Sequence, residues 1–357
     1  MDIGKCGLLD RFTLAVIFGG RSSEHEISLQ SAGAIVGALD REKYDAVLLG
    51  IDRQGEWMRY YGGAADIAAD RWRDGGQCKR ALVSPSSETH GVIEFDSGTY
   101  MATRLDAAFP VLHGKNGEDG TVQGLLELAG IPIVGCGCLT SALCMDKELA
   151  HIAAREAGIE CPRGFSVRRP YDPEYIREAA SGLGYPLFVK PARSGSSHGI
   201  TCVKQPGQLA GAVGFAFTHD DKVIVEQAVD GVEIGCAVIG EGDRLIFGRA
   251  DEIEIHGDMF DYIEKYTLKT SKIHMPARIS SEAEARVLEA AARIYRALGC
   301  QVFARVDLFL TASGRLLFNE VNTIPGFTEH SRFPNMMRGA GYSFGQTLDE
   351  LVKAAVA

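Results

Sequence analysis

The sequence predicts an α/β fold class: an open α/β unit at the N-terminus, then α+β segments, in two or three domains. Three observations predict it. A continuous apolar run, Leu14–Phe18, ends at Gly19-Gly20 and leads into a helical pattern through Ala38; strand, glycine turn and helix in that order begin an open α/β unit. Near the other end, Phe303–Thr311 and Arg315–Asn322 flank Ser313-Gly314 as the strands of a tight hairpin flank its turn. The chain has 357 residues, 46% hydrophobic and 24% charged, an ordinary globular composition long enough for more than one core.

The elements follow in order. Residues 1–11 read as a short extension before the first strand. After the first helix, Asp45–Ile51 is a second strand, while residues 61–104 are polar and loosely patterned and give no clear element. Ala107–Leu112 is a strand ending at His113-Gly114. The turn Gly117-Glu118-Asp119-Gly120 opens a helix through Ala129, and Ile131–Val134 is a short strand. Ser141–Ala157 reads as one helix. Pro186–Lys190, Thr201–Val203, Lys222–Gln227 and Glu233–Ile239 are strands, 280–298 is an amphipathic helix, and a helix from Ser343 to Val356 closes the chain. His256–His274 is charged and without period, as lid or binding loops often are.

A formal net charge of −10 and a pI of about 5.5 argue against binding a nucleic-acid backbone. No apolar run approaches the length of a membrane span, and the N-terminus lacks the apolar segment of a secretion signal. Nine cysteines are scattered through the chain, and Cys136 and Cys138 have no second cluster to complete a zinc site. A reducing, cytoplasmic setting is expected.

The hairpin carries the sharpest chemical signal. A two-residue loop sets Ala312 opposite Arg315, Asp307 opposite Glu320 and Arg305 opposite Asn322, with all four polar groups on one face. Opposed Cβ atoms lie roughly 5 Å apart, so the two carboxylates need a cation between them. Mg²⁺ suits, because it takes a few carboxylate oxygens together with substrate phosphates. Upstream, residues 193–199 hold two Gly and three Ser, small residues and hydroxyls that let an anion approach the backbone. Lys190 precedes them at a strand end, as a phosphate-neutralising charge would. Glu24 and His113 follow the carboxyl ends of strands, where open α/β sheets bind ligands.

Together these segments resemble the D-alanine–D-alanine ligase family of the ATP-grasp fold. GGRSSEHEISL, LHGKNGEDGTVQG, CMDK, FVKPARSGSSHG, VIVEQAVDGVE, EKY, ARVDLF and NEVNTIPGFT occur in family order from residue 13 to about 355. The resemblance implies an N-terminal α/β substrate domain over 1–137, a central ATP-grasp subdomain over 138–229, and a C-terminal subdomain over 230–357 with the metal site and a lid at about 256–274. It implies ATP phosphates on Lys147 and Lys190 under Ser196 and Ser197, an adenine hinge of Glu226, Gln227 and Val229, and ribose on Glu233. Asp307, Glu320 and Asn322 would hold two Mg²⁺ ions, with Mn²⁺ able to substitute. Glu24 would take the ammonium of the first D-alanine, and His113 would lie near its carboxylate. Ser196 and Tyr266 would join Glu24 in closing the lid, and Lys265 would neutralise the transferring phosphoryl group. Arg305 and the Gly326 backbone would stabilise the tetrahedral intermediate, and Ser331 would meet the second substrate's carboxylate. A homodimer is expected, with no nucleic-acid or membrane partner.

One departure bears on the second substrate. Housekeeping members of the family usually carry an apolar residue after the serine equivalent to Ser331; this chain has Arg332. With Phe260-Asp261-Tyr262 and Glu264-Lys265-Tyr266, it is similar to the vancomycin-resistance members that use D-serine. Arg332 offers five donors, enough for a carboxylate and a hydroxyl. Phe260 would narrow the pocket, and Asp251 would accept from the same network. The alternative is that Arg332 only pairs with a neighbouring acid. The resemblance thus implies a D-alanine–D-serine ligase, with D-alanine–D-alanine and then D-alanine–D-lactate ligation as alternatives.

Overall fold

The computed structural model describes residues 11–255 and 271–357. Three sheets follow one another along the chain. The first comprises β1 (Phe12–Gly19), β2 (Tyr44–Ile51), β3 (Trp57–Tyr60), β4 (Cys78–Val83), β5 (Gly91–Asp96), β6 (Thr99–Arg104) and β7 (Ala107–Val111), in the order β6-β5-β4-β3-β2-β1-β7. β1 runs parallel to both β2 and β7. That is why Leu14–Phe18 is uniformly apolar: a parallel strand covered on both faces buries every side chain. The helix His25–Ala38 crosses between β1 and β2.

The stretch 61–104 contributes most of an antiparallel meander, β4 to β6, extending the sheet beyond β3. It was unreadable because these strands approach the sheet edge. β6 is exposed along nearly its whole length, so no apolar alternation marks it. Ile131–Val134, expected as a strand, makes only a single parallel bridge, Ile133 to Ala108. Pro132 has no N–H to extend the ladder.

The second sheet has order β10-β9-β11-β8, with β8 Gly164–Arg168, β9 Leu187–Pro191, β10 Thr201–Val203 and β11 Lys222–Gln227, all antiparallel. The third comprises β12 (Gly231–Glu241), β13 (Arg244–Phe247), β14 (Asp251–Ile255), β15 (Ser271–His274), β16 (Phe303–Thr311) and β17 (Leu316–Asn322). Its order is β15-β14-β12-β16-β17, with β13 on β12. Ser271–His274, expected as part of an irregular loop, is therefore a strand paired with β14. Phe260, Lys265 and Tyr266 lie outside the described residues.

Two features fix the first sheet to the third and to the C-terminal helices. Phe109 on β7 stacks edge-to-face on Phe303 of β16 (centroids 5.9 Å apart) and on Phe327 (6.0 Å). The closing helix, Phe344–Ala355, buries Leu348, Leu351 and Val352 in the same core as Leu14 and Leu29. The chain's two ends therefore share one core. Among the described residues, no helix is long and apolar enough to cross a membrane.

The expected single helix Ser141–Ala157 is two helices, Cys138–Met145 and Lys147–Glu156. Asp146 breaks them apart with φ −88° and ψ 98°, and its side chain accepts from Leu149 N at 3.2 Å. Lys147 thus opens a helix instead of lying inside one.

Candidate active site

The β16–β17 hairpin carries the carboxylates in the expected register by a different route. Arg305 faces Asn322 and Asp307 faces Glu320, but beyond them Leu308 faces Phe318 and Leu310 faces Leu316. The turn is a three-residue loop, Ala312-Ser313-Gly314, with Gly314 at φ +79° and Thr311 N donating to Arg315 O. A bulge at Asn319 then takes up the extra residue. The two irregularities cancel.

Asp307 is fully buried and accepts from Arg305 Nε (2.9 Å) and from the Asn322 amide (3.0 Å). Arg332 Nη2 lies 3.3 Å from the same oxygen that accepts from Arg305 Nε. Glu320 pairs with Lys147 at 3.4 Å. The repulsion anticipated between the two carboxylates is thus offset by protein cations on either side.

A cleft of about 820 Å³ lies between the second and third sheets, lined by Lys147, Lys190, Ser197, Val229, Glu233 and Glu320 among others. Six of the residues expected around a nucleotide therefore face one space. Lys190, on β9, reaches Glu226 of β11 at 2.5 Å. His151 Nδ1 approaches the other Glu226 oxygen at 3.2 Å. Burial alone would raise the Glu226 carboxyl, but Lys190 and His151 hold it well below the usual carboxylate range. Burial likewise opposes the charge on Lys190, and Glu226 more than offsets it, so its pKa is raised. Gln227 is tied at the edge of this region by its N–H to Arg163 O at 2.8 Å.

At the N-terminal side, Glu24 sits just before the helix His25–Ala38 and accepts from Ser196 Oγ of the loop between β9 and β10. Ser22 Oγ donates to His113 O at 2.6 Å, tying the two strand-end loops together. His113 is buried, its Nε2 3.4 Å from Ser31 Oγ. Burial lowers its pKa despite the opposing charge of Glu24.

Ser331 precedes the helix Arg332–Gly339, its Oγ accepting from Thr328 N at 3.0 Å. A Cβ on Gly326 would approach that Oγ to 3.2 Å, so Gly326 and Ser331 are close neighbours. Arg332 turns onto Asp251: Nε and Nη2 meet the two carboxylate oxygens at 2.8 and 2.7 Å, and Nη1 lies 3.5 Å from Glu233. Glu233, Asp251 and Asp307 come from adjacent strands β12, β14 and β16, so one guanidinium spans the centre of the sheet. A Cβ on Gly235 would meet it at 2.2 Å, which is why a glycine faces Arg332 on β12.

The comparisons with known proteins identify the family. The D-ala D-ala ligase N-terminus family model matches residues 13–136, and the D-ala D-ala ligase C-terminus model matches 157–353. The chain belongs to the D-alanine–D-alanine ligase family. It is 40% identical to the vancomycin/teicoplanin A-type resistance protein VanA of Enterococcus faecium, over 98% of this chain and 99% of that one. A putative D-alanine–D-lactate ligase of Streptomyces coelicolor is 43% identical over 97% and 98% of the two chains. The crystal structure of VanG D-Ala:D-Ser ligase from Enterococcus faecalis superposes with a TM-score of 0.91 at 52% identity, covering 97% of this chain and all of that one. The fold is accordingly the ATP-grasp arrangement of D-alanine–D-alanine ligases.

An ATP-dependent ligase of this family implies a divalent metal, and the donor set fits one. Among the described residues, no three His, Cys, Asp or Glu side chains are arranged to hold an ion by themselves. Two carboxylates and an amide, beside a cleft lined by lysines, instead suit a hard cation that completes its shell with phosphate oxygens.

Three features of this ligase were not anticipated. Glu118, part of the recognised LHGKNGEDG segment, is pushed up to about 8 by burial and then by the charge of Glu24, while accepting from Gly114 N at 2.6 Å. His151, which buttresses Glu226, lies four residues after Lys147, one helical turn on. Lys222, almost wholly buried, pairs with Asp146 and Glu148; nothing in its strand pattern distinguished it from a solvated lysine.

Proposed function

We propose that this protein is an ATP-dependent ligase that joins D-alanine to D-serine through an acyl phosphate, supplying peptidoglycan precursors of the vancomycin-resistance type. The observation that carries this reading is the 52% identity to the VanG D-Ala:D-Ser ligase over 97% of the chain. Arg332 on Asp251, beside Ser331, supports it: a site built around paired polar groups can favour a hydroxyl and disfavour the analogue lacking it.

In this reading, Glu24 binds the ammonium of the first D-alanine, with His113 near its carboxylate. That carboxylate attacks the γ-phosphorus of ATP; the P–O bond to the β-phosphate breaks and ADP leaves. Lys147 and Lys190 exchange Glu320 and Glu226 for phosphate oxygens, Ser196 and Ser197 cover them, and Lys265 faces the transferring group. Glu226, Gln227 and Val229 line the adenine and Glu233 the ribose. A divalent cation held by Asp307, Glu320 and Asn322 would neutralise phosphate charge, and two such sites are proposed. The amine of the second substrate then attacks the acyl carbon and inorganic phosphate leaves. Arg305 and the Gly326 N–H face the developing oxyanion. Ser331 and Arg332 receive the second carboxylate and hydroxyl, with Phe260 beside them. Tyr266 closes the lid with Ser196 and Glu24, excluding water from an acyl phosphate that would otherwise hydrolyse. The domain division at 137/138 and 229/230, a cytoplasmic location and a homodimer belong to the same proposal.

D-alanine as second substrate is the alternative, favoured by the fact that Asp251 already engages Arg332 through two hydrogen bonds. Product analysis by mass spectrometry, with Mg-ATP and equal D-alanine, D-serine and D-lactate, separates the readings. D-Ala-D-Ser is expected to dominate. Dominant D-Ala-D-Ala or D-Ala-D-Lac would overturn the D-serine assignment, and absence of D-alanine-dependent ADP release would overturn the ligase reading.

A further inference from the structure

Lys222 is one of the largest fully buried side chains of the protein, and none of the roles proposed above uses it. Its ammonium meets both oxygens of Asp146, at 2.7 and 2.8 Å, and Glu148 at 2.6 Å. Ser166 Oγ in turn donates to Glu148. Buried ion pairs seldom stabilise a fold beyond a well-packed apolar replacement, so net stability alone does not account for this lysine with its two acids.

The partners of Lys222 point to its role. Asp146 is the residue at which the expected continuous helix breaks. Its extended conformation lets one carboxylate cap the helix at Leu149 N and reach Lys222. The break makes Lys147 the first residue of its helix. From there Lys147 N donates to Ala192 O at 3.1 Å, and Nζ donates to Ser194 O at 2.9 Å and approaches Glu320 at 3.4 Å. The backbone of Lys222 holds the other side of the same region: Ala192 N donates to Lys222 O at 2.9 Å, where the small-residue loop begins. The side chain of Lys222 therefore fixes the helix that presents Lys147, and its carbonyl fixes the root of the loop that covers it.

We infer that Lys222 is a positioning residue for phosphate binding: through Asp146 it breaks the 138–156 helix so that Lys147 points into the nucleotide cleft. The inference rests on the proposed contact of Lys147 with ATP phosphates.

The test is calorimetric titration of the full-length protein with Mg-ATP, beside steady-state kinetics, for Lys147→Ala, Lys222→Met and the double variant. Lys222→Met is expected to weaken Mg-ATP binding on the order of tenfold to a hundredfold while leaving the KM for D-alanine unchanged. Its effect should vanish in the Lys147→Ala background, because both substitutions remove the same interaction. Additive losses, or equal rises in the KM values for ATP and D-alanine, would show Lys222 to be only a structural ion pair and overturn the inference. Should Lys222→Met not fold, Asp146→Ser keeps a capping oxygen, removes the carboxylate and carries the same expectations. Unaltered Mg-ATP affinity in Lys147→Ala alone would instead remove the reading of Lys147, and the inference with it.

Discussion

The two ends of the candidate site hold their cations differently. At the end assigned to the nucleotide, Lys147 and Lys190 each rest against one carboxylate, Glu320 at 3.4 Å and Glu226 at 2.5 Å. At the end assigned to the second substrate, Arg332 is forked onto both oxygens of the fully buried Asp251 and also reaches Asp307 and Glu233. Lysine is a point charge on a flexible stem and can exchange a carboxylate for a phosphate; a guanidinium in a planar, two-bond pairing cannot do so cheaply. On the proposed function, one end would trade partners during turnover and the other keep its geometry.

Asp307 joins the two ends, since it contacts Arg332 of the fixed end and faces Glu320, the partner of Lys147, across the hairpin. Asp307→Asn is expected to have the largest effect, lowering kcat on the order of a hundredfold or more. It should also destabilise the fold by about 3–5 kcal/mol, because two buried guanidinium groups lose a shared charge. Single-turnover kinetics and urea unfolding would check both. Retention of full activity would dissolve the idea that the ends meet at this carboxylate.

Glu226→Gln sharpens the nucleotide side of the comparison. The Glu226 carboxyl titrates below its ordinary 4.5, so the native state favours its charged form. The stability it contributes is present above the unfolded pKa and is lost as pH falls through the folded one. The variant should be less stable than the parent at neutral pH, by about 1–3 kcal/mol, and the gap should close in acid. A Tm difference independent of pH would count against the Lys190–Glu226–His151 pairing as its source.

A smaller effect is expected from Glu118→Gln. Here the folded pKa is about 8, against an ordinary 4.5. Ionisation in the unfolded chain therefore erodes stability as pH rises from about 4.5 to about 8. The glutamine variant cannot ionise and should lose this decline. Thermal unfolding in EDTA across that range would show a flatter profile than the parent; parallel profiles would mean that Glu118 is ionised in the native protein.

Legibility followed burial and local chemistry. β1 was readable because both its faces are covered, and the motif residues Glu24, Lys147, Lys190, Asp307 and Glu320 converge as their segments suggested. The hairpin register was right although its turn was misread, because the bulge at Asn319 offsets a longer loop. The meander of β4–β6 was unreadable because its outermost strand is exposed on both faces. The break at Asp146 has a local part, its cap on Leu149 N, and a part that no local pattern contains, its pairing with Lys222 76 residues away in sequence. Glu118 lies within a motif, but its raised pKa comes from burial and Glu24, neither of which a local pattern contains.

The proposed role of the fixed end in choosing the second substrate is tested by Arg332→Leu. The measurement is the D-Ala-D-Ser to D-Ala-D-Ala product ratio at equal D-serine and D-alanine. A ratio does not depend on how much of the variant folds, which matters because Asp251 would lose its buried partner. The account predicts a fall on the order of tenfold or more toward D-Ala-D-Ala. A ratio equal to that of the parent would contradict it, leaving the Arg332–Asp251 pair as a brace of the third sheet without influence on the second substrate.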